Sequence, residues 1–207
     1  MIEIEKNTTV YILCPAYLKT GGTELVHQLA HTLDNNDIDV YMVYLEGKEN
    51  NTIYRPGAFD KYIKKECKLA EISDDEKNIV ILPEIYPYMR RKWKKIRTAI
   101  WWMSVDHYVN NNGIINPIKN RGIIFFLKRL LRKKISLTTK DIKSVNYHLV
   151  QSYYANDYVL KQGIAEEKIY YLSDYINSEF MNKKLILKIK KILYCLIQKK
   201  DIILHKR

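Results

Sequence analysis

Three short stretches of this chain collect residue types that can hold phosphate, move a proton or grip a hydroxyl. The first runs from Pro15 to Glu24 and carries Gly21 and Gly22 side by side, followed by Thr23 and Glu24. Paired glycines give the backbone access to positive φ and to close approach by a ligand. A helical apolar pattern starts at Thr23, which is placed to cap it, and a helix N-terminus offers unpaired N–H groups and a positive dipole end to an anion. The stretch is neither Gly-x-Gly-x-x-Gly nor a Walker loop, which disfavours nicotinamide and P-loop chemistry. A plain tight turn with a helix cap is the alternative.

The second stretch, Trp101 to Tyr108, holds Ser104, Asp106 and His107. Asp106 or His107 would serve there as acid, base or hydroxyl ligand, and Trp101 and Trp102 would stack on a sugar ring. The alternative puts both tryptophans in the core and makes Asp106 a helix cap. The third, Tyr171 to Asn177, alternates Ser173 and Asp174 with apolar residues, as in a loop lining a cleft; a solvent loop is the alternative. His27 and His31 stand one helical turn apart with Glu24 on the same face, which resembles a zinc site. Gln28 occupies the place of the general-base glutamate, so a surface-facing pair of histidines is expected and no metal.

These residues need elements to position them. Strands are expected at Thr9–Cys14, Ile38–Leu45, Asn78–Leu82, Arg97–Trp102, Tyr147–Ser152 and Lys168–Leu172 from short β-branched and aromatic runs. Helices are expected at Thr23–Leu33, Ala58–Cys67, Tyr86–Lys95 with Pro87 in its first turn, Ile118–Lys134, and Tyr153–Gln162 closed by Gly163. Asn110–Asn116 reads as loop. Strands alternating with helices call for a parallel sheet with helices on both faces, an α/β Rossmann-like fold. Ligands on such sheets gather at the carboxyl ends of the strands, where all three stretches fall.

The 207 residues suffice for one good-sized core, and 47% hydrophobic content with seventeen tyrosines excludes a disordered chain. The N-terminal Met-Ile-Glu-Ile-Glu-Lys lacks the apolar run of a secretory signal, and lysines interrupt the greasy stretch near residues 185–198. Cys14, Cys67 and Cys195 are odd in number and widely spaced, so a reduced, cytoplasmic setting is expected. The net charge of +12 is concentrated in three blocks: Arg90 to Arg97, Lys119 to Lys134, and the tail from Lys183. Such blocks attract anionic lipid, phosphorylated small molecules or nucleic acid. No nucleic-acid-binding motif accompanies them, and no nucleic-acid partner is expected.

The three stretches together, with the segment His148 to Ala155 and its continuation through Gly163-Ile164 to Asn177, resemble the N-terminal domain of family 4 glycosyltransferases of GT-B fold. The resemblance covers roughly residues 8 to 180. It implies retaining transfer of a sugar from a UDP- or GDP-type nucleotide donor, with no other cofactor, to a polysaccharide or lipid-linked acceptor. The implied roles put Gly21, Gly22 and Thr23 at the donor phosphates, and Asp106 and His107 against the sugar or acceptor. Glu24, Ser104, Ser173 and Asp174 would line the acceptor cleft. Peripheral attachment to an anionic membrane at the cytoplasmic face, through the basic blocks and the apolar run Ile123 to Leu127, is a further expectation.

The resemblance stops where a family member's donor-binding domain would start. Residues 181–207 read as a connector helix (Lys183 to Lys200) and one opening strand (Asp201 to His205). Glu76 and Glu84 share the eight-residue spacing of the family's paired glutamates, but they flank a strand of the first domain and lack the accompanying Gly-x-Pro. A truncated or split enzyme, partnered by a separate donor-domain chain and inactive alone, is therefore expected beside the complete-enzyme reading. A basic nucleic-acid- or membrane-binding module is the remaining alternative.

Overall fold

A computed structural model describes residues 2–45 and 55–172. The chain divides into two units, Met1–Ser173 and Asp174–Arg207, and the described residues all belong to the first. The expectations for Ser173, Asp174, the connector helix and the final strand fall outside the described residues.

Six strands form one all-parallel sheet: β1 Thr9–Pro15, β2 Asp39–Leu45, β3 Ile79–Pro83, β4 Arg97–Trp102, β5 Tyr147–Val150 and β6 Ile169–Tyr171. Their spatial order is β2-β1-β3-β4-β5-β6. A parallel bridge between Met42 and Glu66 adds a vestigial seventh position outside β2. Counting it, the chain winds outward from β1 in one direction and then from β3 in the other. The reversal between β1 and β3 is the switch point at which an open α/β sheet leaves a crevice.

Both faces of the sheet are covered, and the strand residues sort by alternation. Tyr11, Leu13, Val80, Leu82, Ile100, Trp102 and Val150 point into one core. Val10, Ile12, Cys14, Ile79, Ile81, Ala99, Trp101 and Leu149 point into the other. This double burial is why the strands read as continuous apolar runs. Helix α1 (Gly21–Asp34) brings Val26 and Ala30 to the second core. Helices α2 (Val105–Asn111), α5 (Lys140–Lys143) and α6 (Tyr153–Lys161) bring Val105, Tyr108, Ile142, Ala155 and Val159 to the first. The Rossmann-like arrangement expected from the alternation is thus present.

Three expected helices differ. Ala58–Cys67 and Tyr86–Lys95 contain only 3-10 turns, at Gly57–Tyr62 and Pro87–Lys92. Each is too short to propagate an α-helical ladder, and each ends at a residue in extended backbone. The basic helix expected over Ile118–Lys134 is two helices, α3 (Ile115–Arg121) and α4 (Ile123–Leu131). Gly122, at φ +84°, ends one and starts the other. The loop expected at Asn110–Asn116 shrinks accordingly to residues 112–114.

The excursion carrying α3 and α4 is clamped at its base. Gly113 N–H donates to the Ser136 carbonyl at 2.7 Å, and Ser136 N–H donates to Asn112 Oδ1 at 3.1 Å. The Ser136 hydroxyl bonds Asp141, which Arg91 grips with Nε at 2.8 Å and Nη2 at 2.6 Å. Arg91 Nη2 also reaches the Ile135 carbonyl. The first basic block is therefore partly structural: Arg90 bonds the Trp93 carbonyl, and Arg97 bonds the Glu3 and Lys77 carbonyls.

Candidate functional site

The loop after β1 turns at Tyr17, whose φ of +61° is left-handed, and not at the glycines. Thr20, in extended backbone, is the N-cap of α1. Its hydroxyl accepts the Thr23 N–H at 3.3 Å, and the Thr23 hydroxyl accepts the Thr20 N–H at 2.8 Å. The cap expected at Thr23 is therefore a reciprocal pair with Thr20 as N-cap. Gly21 and Gly22 open the helix with ordinary backbone, so positive φ does not explain them. Their lack of a side chain does. A Cβ on Gly21 would meet nothing within 4 Å, and one on Gly22 would meet only the Met103 thioether at 3.6 Å. The helix end is left bare on its outer side, with the N–H groups of Gly21 and Gly22 still to be satisfied.

That bare end opens onto a cavity of about 830 Å³, within the size range of small-molecule sites. Its floor is the switch point: Pro15 ending β1, Pro83 ending β3 with Glu84 next to it, Met103 and Ser104 after β4, and Gln151 after β5. Gln151 Nε2 holds the Met103 carbonyl at 2.7 Å, tying two of these loops together. The far wall comes from the clamped excursion: Arg121, Phe125, Lys128, Arg129, Arg132 and Lys134. Phe125 lies under two guanidinium groups, Arg121 at 5.1 Å and Arg129 at 5.8 Å from its centroid. Arg129 also holds the carbonyls of Lys134 and Asn111, which fixes the wall to α2.

Glu84 is the one acid among the described residues lining the cavity. It is 3% exposed, and its Oε2 has no hydrogen-bond partner. Burial pushes its carboxyl up to about 7, against the pull of the backbone N–H groups of Glu84 and Met103. Near neutral pH it therefore exchanges a proton readily, as a general acid or base must. The sequence marks this residue only by position, as the first polar side chain after the apolar run Ile79–Pro83.

The other expected site residues divide. Gly21, Gly22, Thr23, Ser104 and His107 line the cavity. Ser104 caps α2, its Oγ accepting the His107 N–H at 3.2 Å, a role the sequence suggested for Asp106. Asp106 points to solvent and accepts from the Tyr154 hydroxyl at 3.2 Å, outside the lining. Glu24 also turns away, bonded by the Tyr62 hydroxyl at 3.2 Å. Trp101 and Trp102 are buried in opposite cores, unavailable for stacking on a sugar. Trp102 Nε1–H donates to His148 Nδ1 at 3.0 Å, and burial depresses His148 to about 4.

His27 does not face the surface as expected. It is fully buried against Phe59, ring centroids 4.2 Å apart. Nδ1–H donates to the Thr23 carbonyl at 2.5 Å, so Nε2 accepts from the Tyr44 hydroxyl at 2.7 Å. Burial lowers it to about 4, which keeps it neutral. With both ring nitrogens engaged, His27 has no lone pair to offer a metal, and His31 bonds Asn35 instead. Among the described residues no trio of His, Cys, Asp or Glu gathers in a metal-holding arrangement.

No family model, curated protein or solved structure matches the chain. The cavity itself combines a bare helix N-terminus on one side, a cationic wall on the other, and one buried carboxyl on the floor.

Proposed function

We propose that this unit is the acceptor-side domain of a sugar transferase, taking a sugar from a UDP- or GDP-type nucleotide donor. The observation that carries the reading is the position of the cavity, over the switch point and between the end of α1 and the wall of Arg121, Lys128 and Arg132. A diphosphate placed there would accept the N–H groups of Gly21 and Gly22 and lie in a positive field from both sides. Glu84 and His107 line the same cavity, in reach of a bound ligand, and are the groups proposed to handle the acceptor hydroxyl and its proton. The resemblance to family 4 glycosyltransferases points to the same division of labour. A donor-binding domain would close over the opening, and a polysaccharide or lipid-linked chain would supply the hydroxyl.

Calorimetric titration with UDP- and GDP-sugars tests this. Saturable binding is expected at a Kd of about 1 mM, the weak affinity of half a site. Gly21→Leu, whose Cβ would meet no atom within 4 Å, should weaken it by about tenfold or more while preserving the fold. Binding that survives Gly21→Leu unchanged, or no binding of either sugar nucleotide, would count against the reading.

A further inference from the structure

Helix α4 carries two unlike faces. Ile123, Ile124, Leu127, Leu130 and Leu131 follow the i, i+4, i+7 and i, i+3, i+7 spacings of one helical stripe, and all are exposed. Ile124 is 68% and Leu131 83% accessible, and Ile115 at the start of α3 adds another at 78%. On the opposite side Phe125, Lys128, Arg129 and Arg132, again spaced i, i+3, i+4, i+7, line the cavity. Phe126 alone anchors the helix in the interior. Between Asp106 and Asp141 the sequence contains no acidic residue, while Lys119, Arg121, Lys128, Arg132 and Lys133 are all exposed there.

We propose that the α3–α4 pair docks the protein on an anionic lipid surface, with the apolar stripe of α4 sunk to the acyl boundary and the flanking lysines and arginines at headgroup level. The pairing of chemistries selects this occupant. A nucleic acid would satisfy the cations and leave the stripe in water. A second copy meeting face to face would bury the stripe but leave the surrounding lysines and arginines without an opposite charge, since no acidic residue lies between Asp106 and Asp141. A bilayer offers anions above and hydrocarbon below in the same layered order as the helix. Among the described residues no helix is long and apolar enough to cross a membrane, so the contact is one of lying on the surface. In that pose the cationic wall stands directly behind the membrane contact, and a phosphorylated lipid would reach the cavity without leaving the bilayer. The docking itself does not depend on sugar transfer.

Vesicle flotation of the full chain without sugar nucleotide is the test. Vesicles of phosphatidylcholine with about one-third phosphatidylglycerol should carry the protein, and pure phosphatidylcholine should carry about tenfold less. Ile124→Glu with Leu131→Glu should abolish flotation by about tenfold or more, with the thermal transition retained because both side chains are exposed. Lys94→Gln with Lys95→Gln changes the net charge by the same amount on the first basic block and should alter binding by no more than about twofold. Equal loss in the two double variants would reduce the effect to bulk charge and overturn the proposal. So would unchanged binding by Ile124→Glu with Leu131→Glu, or a lipid-free dimer that this variant converts to monomer.

Discussion

Glu84 shows how position outweighs pattern for a single residue. An acid that follows Pro83 at the carboxyl end of a buried strand is forced toward the switch point, with its carboxyl held where water is scarce. Because its folded pKa is raised above the ordinary carboxylate value, the folded state holds its proton at a pH where the unfolded chain has released it. Stability from this group is intact below about 4.5 and declines as pH rises through about 7. Glu84→Gln removes the titration and should stabilise the protein at pH 8 by up to about 3 kcal/mol relative to its effect at pH 5. Urea unfolding at the two pH values measures the difference, and equal effects would deny the raised pKa. Thr20→Ala tests a neighbouring residue: losing the reciprocal cap should cost about 1 kcal/mol in the same assay.

At the scale of elements, the buried histidines and the clamp of the α3–α4 excursion make separate predictions. His27 ties α1 to β2 through Tyr44, and His148 ties β5 to β4 through Trp102. Both have depressed pKa values near 4, so their contribution is present above about 6.5 and is lost as pH falls toward 4. The unfolding midpoint in urea should fall over that interval, and His148→Gln should flatten the decline; a flat profile in the parent protein would contradict the assignment. For the clamp, Asp141→Ala leaves Arg91 and Ser136 without their shared partner and should cost about 2 kcal/mol. Limited proteolysis should then cut first within residues 112–136, whereas uniform cleavage would mean the clamp is not local.

The elements were legible to different degrees for physical reasons. Arg97–Trp102 could be bounded from sequence because Arg97 opens a β-branched and aromatic run that gives way to Ser104 just past Met103. The break at Gly122 was hidden inside a continuous apolar and basic pattern, since a glycine in a helical pattern is compatible with either continuation or a cap. Gly21 and Gly22 read as loop before a helix starting at Thr23, whereas they are the first two residues of α1, because helix starts need no positive φ and their openness only appears with the cavity. Asp106 and Glu24 sit one helical step from cavity residues, and periodicity alone does not say which of two adjacent side chains turns inward.

For the molecule as a whole, the all-parallel sheet and its reversal between β1 and β3 decide where a ligand can sit, and the charge decides what kind of ligand. Of the three basic blocks, the first is engaged partly in carbonyl and carboxylate contacts, and the second forms the cavity wall. The third lies outside the described residues. The net charge of +12 is thus a poor guide when summed and a good one when placed. The alternation of strand and helix revealed the sheet, but the strand order depends on which segments pair across long sequence separations, and composition carries no record of that.

On the proposed function, the cavity between the end of α1 and the wall of α4 receives the phosphates of a nucleotide sugar. Backbone amide NMR of the isotopically labelled chain, titrated with a UDP- or GDP-sugar to about 10 mM, tests it residue by residue. The signals of Gly21, Gly22, Ser104 and His107 should move together along one saturation curve, and Gly21→Leu should suppress the shifts of the other three. Saturating shifts confined to residues outside the cavity, or none for Gly21 and Gly22, would contradict the account.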